Sequence, residues 1–305
     1  MNRKVLITGG SGFIGKKITD LLQRNGYSVS ILSRRGGNFG NVETFKWDPY
    51  AGTIDDAAFK DLFGIIHLAG AGIADKKWSR QRKDEIMESR VKSAELIHSK
   101  LKELDEKERP EVFISASGIG YYGYDTGSIL VNESSRFGDD FLATVCKEWE
   151  LAADTFKNLS MRVVKFRIGL VLSKAGGALP VMMRPVKFGL GAGLGRGDQY
   201  ISWIHVDDLT RMFLKGLEEP EFEGIFNAVG SAPVTNKNFM RSIAKTIKKP
   251  FFLPNVPSFA LKTVMGEMAS MVTGGNKVSS EKIESKSFEF HFRELDKALE
   301  NLLKS

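Results

Sequence analysis

A chain of 305 residues with a 42% hydrophobic share is long enough to bury a core of its own, and its single cysteine, Cys146, excludes an internal disulfide and points to a reducing, cytoplasmic setting. The 44 basic and 37 acidic residues leave a net charge of +7, which suits an anionic partner without choosing among nucleic acid, a membrane surface and a phosphorylated cofactor. The apolar run near Met1 is too short for a signal peptide and no stretch nears the ~18 apolar residues of a membrane span, so neither is expected.

In chain order, Lys4 to Thr8 reads as a buried strand, after which Phe13, Ile14, Ile18, Leu21 and Leu22 keep helical spacing up to a stop at Gly26. Strands are expected over 28–33, 42–47 and 64–69, then a long polar helix over 79–106. Pro110 ends that stretch, and a strand over 111–115, a helix over 140–156 and a strand over 161–167 follow. Such alternation is the signature of an α/β fold with a doubly wound parallel sheet. Glycine-rich segments at 175–180 and 189–197 mark the passage into a smaller C-terminal lobe. A strand running into a helix over 202–209 and a strand over 224–229 lead back to the sheet. The expected organisation is therefore a nucleotide-binding unit of 1–170 rejoined by 203–229, with a substrate lobe of 171–202 and 230–305.

Within that lobe a helix from Thr235 turns Phe239, Met240, Ile243 and Ile247 to one side, while Lys237, Arg241 and Lys245 form a solvated face with no interleaved aromatic residue. A second helix from about Pro257 carries Leu261, Val264, Met265, Met268, Met271 and Val272 in register up to Gly274, and this stripe is expected to pack as core.

Gly9-Gly10-Ser11-Gly12-Phe13-Ile14-Gly15 lies directly between the first strand and the first helix. A tight turn, close approach to a pyrophosphate and close helix–strand packing each exclude side chains, so the order strand, glycine turn, helix predicts a dinucleotide site. About 20 residues on, an NAD site places an acid on the ribose 2′-hydroxyl. Here Ser33-Arg34-Arg35 stands instead, and two guanidiniums suit a 2′-phosphate, which selects NADP(H) as cofactor.

The glycine loop, His67-Leu68-Ala69-Gly70 and Trp203-Ile-His-Val-Asp-Asp208 together resemble the extended short-chain dehydrogenase/reductase superfamily. The chain resembles most its atypical branch, the YfcH-like epimerase-family proteins, through Trp47-Asp48-Pro49, Ser89-Arg90, the run from Ser117 to Gly123, Trp149-Glu150, Gly176 to Leu179 and the C-terminal segment. The resemblance implies a Rossmann domain with a small C-terminal lobe and a cleft between them for NADP(H) and a small-molecule substrate. It also implies that Leu68, Ala69 and Gly70 approach the cofactor through backbone, with Glu85 and Arg90 beside it.

The superfamily's usual proton-transfer pair, a Tyr four residues before a Lys, is missing: no tyrosine here has Lys at i+4. On the helix that should carry the pair, Leu142 and Cys146 occupy the two positions, and a lone helical Cys146 reads as a small buried hydrophobe. By the resemblance Ser117 corresponds to the active-site Ser, and Tyr121 and Tyr122 are the nearest phenols to replace the lost acid, with aromatic packing as the competing role. Arg167 is expected either to hold an anionic substrate group or to form an interdomain salt bridge. His205 with Asp207 and Asp208 is a candidate substrate contact, although a strand-to-helix junction with a capping acid explains the same residues, and no metal site is expected. His67 is read as packing or a local hydrogen bond.

Two functions remain open at this point. One is an NADP(H)-dependent oxidoreductase or epimerase-like enzyme with a non-standard proton donor; the other is a catalytically silent NADP(H)-binding regulator. Partners are expected to be a small molecule and at most a second copy in a homodimer, with neither nucleic acid nor membrane.

Overall fold

The computed structural model describes residues 3–36 and 39–304. Eight strands build the central sheet: β1 (Lys4–Thr8), β2 (Ser28–Ser33), β3 (Glu43–Asp48), β4 (Thr53–Ile54), β5 (Leu62–His67), β6 (Val112–Gly118), β7 (Arg162–Ile168) and β8 (Gly224–Ala228). Their spatial order is β8-β7-β6-β5-β1-β2-β3-β4, parallel throughout except for the β3–β4 hairpin at the edge. From β1 the chain winds outward to β2 and β3, then crosses back to β5 on β1's other side. The carboxyl ends of β1 and β5 therefore flank a topological switch point, where such sheets open a crevice for a ligand.

The central strands are largely buried because helices cover both faces, whereas the edge strands β3 and β4 are mostly polar and partly exposed. Val5 and Ile7 join Ile66, Ile114, Val164 and Phe166 on one side, against Ile18 and Leu22 of α1 (Phe13–Arg24). Leu6, Ile65, Phe113 and Val163 alternate onto the other side, against Ala94, Ile97 and Leu101 of α2 (Arg80–Glu103) and Ala152 and Ala153 of α3 (Phe141–Asp154). The period of two along each strand thus supplies two cores at once.

The predicted starts of the long helices coincide with real caps: Ser79 accepts from Arg82 N and Asp140 from Ala143 N. Gly26, at φ +81°, closes α1 as expected. The hairpin partner β4 was not legible, since two residues carry no period.

A third apolar cluster lies outside the sheet. It joins Leu179, Met183 and Val186 of α4 (Ala178–Lys187) to Trp203, to Phe239, Met240 and Ile243 of α6 (Asn236–Thr246), and to Leu295, Leu299 and Leu302 of the C-terminal helix Leu295–Lys304. The helix α5 (Val206–Glu218) returns the chain to α1's side of the sheet before β8. Lys237, Arg241 and Lys245 are exposed, as their spacing implied.

The methionine stripe is a correction. Instead of one helix from Pro257 to Val272, the chain forms α7 (Ser258–Met265), a 3-10 turn Gly266–Ala269 and a short helix Ser270–Thr273. Gly266 at φ +63° breaks the register that periodicity assumed. Met268 is buried, but no residue of α7 is, and Val264 and Met271 are exposed, so the stripe is not core.

Candidate functional site

The glycine turn is built so that side chains cannot be added. A Cβ at Gly9, whose φ is +68°, would lie 2.9 Å from the Leu68 carbonyl, and one at Gly10 would lie 2.8 Å from Ile31. A Cβ at Gly15 would lie 2.5 Å from the Gly9 oxygen, where neither backbone can yield. Ser11 and Gly12 are exposed, and no side chain caps the first amides of α1. Open N–H groups at the positive end of a helix, held in a cradle that a Cβ would fill, fit a pyrophosphate. Phe13 leaves this turn sideways, its ring lying against Gly176 and Gly177, while Ile14 packs on the core.

Thr8 ties the neighbouring segment to the turn. Its Oγ1 accepts from Leu68 N and Ala69 N, both at 3.1 Å, and bonds to His67 Nδ1 at 2.8 Å. His67 Nε2 bonds to Ser93 Oγ at 3.2 Å, and burial pushes the imidazole pKa down to about 4, so the ring is a neutral strut near neutral pH.

At the end of β2, Ser33 is half-buried while Arg34 and Arg35 are exposed, and neither arginine is in an ion pair among the described residues. Glu85 and Arg90 both lie on α2, but only Arg90 packs against the segment that follows β5, while Glu85 reaches it through Arg82. Arg82 bonds to Glu85 at 2.6 Å, which holds that carboxyl below its ordinary pKa, and also donates to the Gly72 carbonyl. Arg90 lies flat against Gly70, where a Cβ would come within 2.9 Å of its guanidinium carbon, and stacks on Trp149 at 4.9 Å. It donates to the carbonyls of Ala71 and Ile86, and burial lowers its pKa to about 10. Gly70 is therefore the residue that makes room for this cation.

At the carboxyl ends of β6 and β7 the candidate catalytic residues meet in one buried network. Ser117 Oγ donates to Glu150 Oε1 at 2.8 Å, and Arg167 clamps the same carboxylate through Nε and NH2, each at 2.8 Å. Burial opposes the arginine's charge, but the Glu150 hydrogen bonds outweigh it and raise its pKa. Arg167 also donates to the Tyr122 hydroxyl at 3.2 Å, which in turn donates to Asn227 Oδ1 at 2.6 Å. Burial drives the Tyr122 phenol up to about 12, against the lowering effect of Arg167. Arg167, only 1% exposed, thus forms a salt bridge between β7 and α3, and Tyr122 is engaged on both sides.

Tyr121 differs from these. It is half-buried, and the Arg167 guanidinium lies 3.3 Å from its ring centroid. Cys146 sits beneath the 3-10 turn Ile119–Tyr122: a Cβ at Gly118 would be 3.5 Å and one at Gly120 3.7 Å from its sulfur. Burial and the Glu150 charge push the thiol up to about 11, so it is an inert filler, as its position implied.

His205 is turned inward and serves the fold. Its Nδ1 accepts from Asp207 N as the cap of α5, and its ring stacks on Phe292 at 3.8 Å. The junction expected to carry a capping acid is thus capped by the His205 ring, and Asp208 is fully buried and accepts from the backbone N–H groups of His291 and Phe292, which pins the C-terminal segment to α5. No cluster of metal ligands occurs among the described residues.

One cavity escaped sequence reasoning. It measures about 470 Å³ and is lined by Trp78, Arg80, Lys83 and Met87 near the start of α2, Phe141 at the start of α3, and Glu267 from the C-terminal segment. Two of these lining residues, Lys83 and Glu267, form an ion pair at 2.6 Å. Trp78, an aromatic residue in a polar stretch, was the available signal.

Known proteins share this architecture. The model of the NAD dependent epimerase/dehydratase family matches residues 5–228, and that of a domain of unknown function (DUF1731) matches 256–302. The epimerase family protein SDR39U1 homolog, chloroplastic, of Arabidopsis thaliana is 33% identical over 98% of this chain and 86% of its own. The epimerase family protein YfhF of Bacillus subtilis is 32% identical over 98% and 97%. The crystal structure of human epimerase family protein SDR39U1 with NADPH superposes with a TM-score of 0.88 at 29% identity, over 99% of both chains. With a family match across the whole sheet and relatives alike almost from end to end, the chain belongs to the NAD-dependent epimerase/dehydratase family.

Proposed function

We propose that this protein binds NADP(H) and acts as an oxidoreductase or epimerase-like enzyme on a small carbonyl or nucleotide-sugar-like substrate, without the Tyr-x-x-x-Lys pair. The observation that carries the reading is the glycine cradle at the switch point, with the exposed Arg34 and Arg35 at the end of the adjoining strand. The human structure with NADPH supports it. Gly9 to Gly15 would hold the pyrophosphate, Arg34 and Arg35 the 2′-phosphate, and Leu68 to Gly70 the approach through backbone. The bound nicotinamide would supply or accept hydride. We place the substrate between the unit of 1–170 with 203–229 and the lobe of 171–202 and 230–305, beside the cavity bounded by Trp78 and Phe141.

Tyr121 is our candidate for the proton donor. Ser117 and Tyr122 are held by internal partners, whereas Tyr121 is half-buried, has no hydrogen bond to its hydroxyl among the described residues and is oriented by the fixed cation on its ring. Glu150 and Arg167 act through it as positioning residues.

Calorimetric titration with NADPH and NADH tests the cofactor. NADPH should bind more tightly, and Arg34→Ala with Arg35→Ala should cost about 10- to 100-fold in NADPH affinity, the worth of lost charge-assisted hydrogen bonds, while leaving NADH nearly unchanged. Tighter NADH binding would overturn the assignment.

The silent-regulator reading draws on Leu142 and Cys146, two groups that cannot exchange a proton under these conditions. Oxidation of bound NADPH against a panel of carbonyl compounds and nucleotide sugars separates the two. An enzyme should lose about 100-fold or more on Tyr121→Phe, the usual worth of a general acid. A regulator oxidises NADPH with no member of the panel.

A further inference from the structure

Much of the molecule's positive charge is gathered where its apolar side chains are most exposed. Residues 174–197 and 245–265 carry four Lys or Arg each and no Asp or Glu, in a chain whose net charge is only +7. The two segments run side by side. Val256 N donates to the Gly193 carbonyl at 2.8 Å, Gly195 N to Val256 at 2.9 Å, and a Cβ at Gly189 would touch Pro250.

Of the cations, Arg196 and Lys245 are spent on acids. Arg184, Lys187, Lys248, Lys249 and Lys262 are exposed and in no ion pair among the described residues. Between them stand Phe188, 83% exposed, Phe252, 76%, and Phe259, 73%, with Val181, Leu190 and Val264 also exposed. On α4, Val181, Pro185 and Phe188 follow helical spacing along the outer face, flanked by Arg184 and Lys187. The turn after α4 then places Phe188 to Leu190 beside Pro250 to Phe252.

We propose that this surface is a peripheral membrane-binding face, which lays its phenylalanines among the acyl chains and its lysines and arginines on anionic headgroups. Protruding aromatic residues among basic neighbours, on two segments that themselves hold no carboxylate, match the two attractions a bilayer surface offers, apolar burial and a negative potential. A second copy docked face to face would oppose like charges. A polyanion such as RNA would satisfy the cations and leave the aliphatic side chains in water. The surface needs no membrane span, consistent with the finding that no helix among the described residues is long and apolar enough to cross a bilayer.

The test is co-sedimentation of the full chain with vesicles of pure phosphatidylcholine and of phosphatidylcholine with phosphatidylglycerol at roughly seven to three, in about 50 mM salt. The protein should pellet with the anionic vesicles, weaken as salt rises, and leave the neutral ones largely unbound. Lys187→Gln with Lys249→Gln should weaken binding about 25-fold, at about fivefold per cation, and Phe188→Ser with Phe252→Ser by at least tenfold. Both pairs are exposed, so their thermal unfolding should match that of the parent chain, which separates lost binding from lost folding. The idea fails if anionic vesicles do not pellet the protein, or if neutral vesicles bind it equally. It also fails if the phenylalanine pair binds vesicles like the parent while heparin competes, the mark of a general polyanion or acidic-protein face. A phenylalanine pair that alters only the sedimentation of the protein alone would assign the face to self-association and overturn it too.

Discussion

His67 joins strand β5 to the glycine turn through Thr8 and to α2 through Ser93, and it does so as an uncharged ring. With burial holding its pKa near 4, the folded protein takes up this proton only well below the pH at which the unfolded chain does, near 6.5. Stability from this residue is complete above about pH 6.5 and is lost as the pH falls from there towards about 4, on the order of 3 kcal/mol in all. Urea unfolding between those limits should show the fall, and His67→Asn should flatten it from a lower plateau; an unchanged slope would count against the buried neutral ring. At this scale the glycine turn between β1 and α1 was legible, because glycines at fixed spacing next to a strand and a helix reveal a tight turn from adjacent residues alone. Thr8 and Asp208 were not, since each serves partners about 60 or more positions away.

Strand β7 and helix α3 share one buried ion pair, and its energetics belong to the pair of elements. Removing one partner strands a charge in the interior, so Glu150→Gln or Arg167→Met alone should destabilise by about 3–5 kcal/mol. The double variant Glu150→Leu with Arg167→Met should cost clearly less than the two singles combined, because no charge is left unpaired. A denaturant-unfolding cycle measures this coupling, and additive losses would refute it. Sequence spacing placed both α3 and β7 within two residues of their observed ends, yet left open whether Arg167 faced a substrate or a carboxylate. Periodicity reports which side of an element is apolar, not which polar group lies opposite. The same blindness produced the continuous helix expected beyond Pro257: hydrophobic spacing carried on through Gly266, where the backbone turns to positive φ and the helix ends.

Across the whole molecule, the glycine turn meets the segment before α4 through Phe13 on Gly176 and Gly177, and Asp208 straps the C-terminal segment to α5. A cofactor seated on the turn binds the folded chain and not the unfolded one. NADPH at a hundredfold excess over its Kd should therefore add about 2.7 kcal/mol to stability, seen as a raised Tm, and the Arg34→Ala Arg35→Ala variant, binding about 10- to 100-fold more weakly, should keep only about 1.4 to 0.4 kcal/mol of that gain at the same concentration. No shift with NADPH would contradict the proposed cofactor.

The amino-acid sequence by itself determined the doubly wound sheet, the place of its glycine turn and the absence of the usual proton-transfer pair, because these follow from periodicity and from residues adjacent along the chain. Only the tertiary structure decided which polar groups remain available. Ser117, Tyr122 and Arg167 are consumed by Glu150 and Asn227, and His205 by a helix cap, while Tyr121 is half-buried and its hydroxyl makes no hydrogen bond among the described residues. A buried polar group must be matched by whichever partner the fold brings to it, and that partner is set by packing in space, not by distance along the chain.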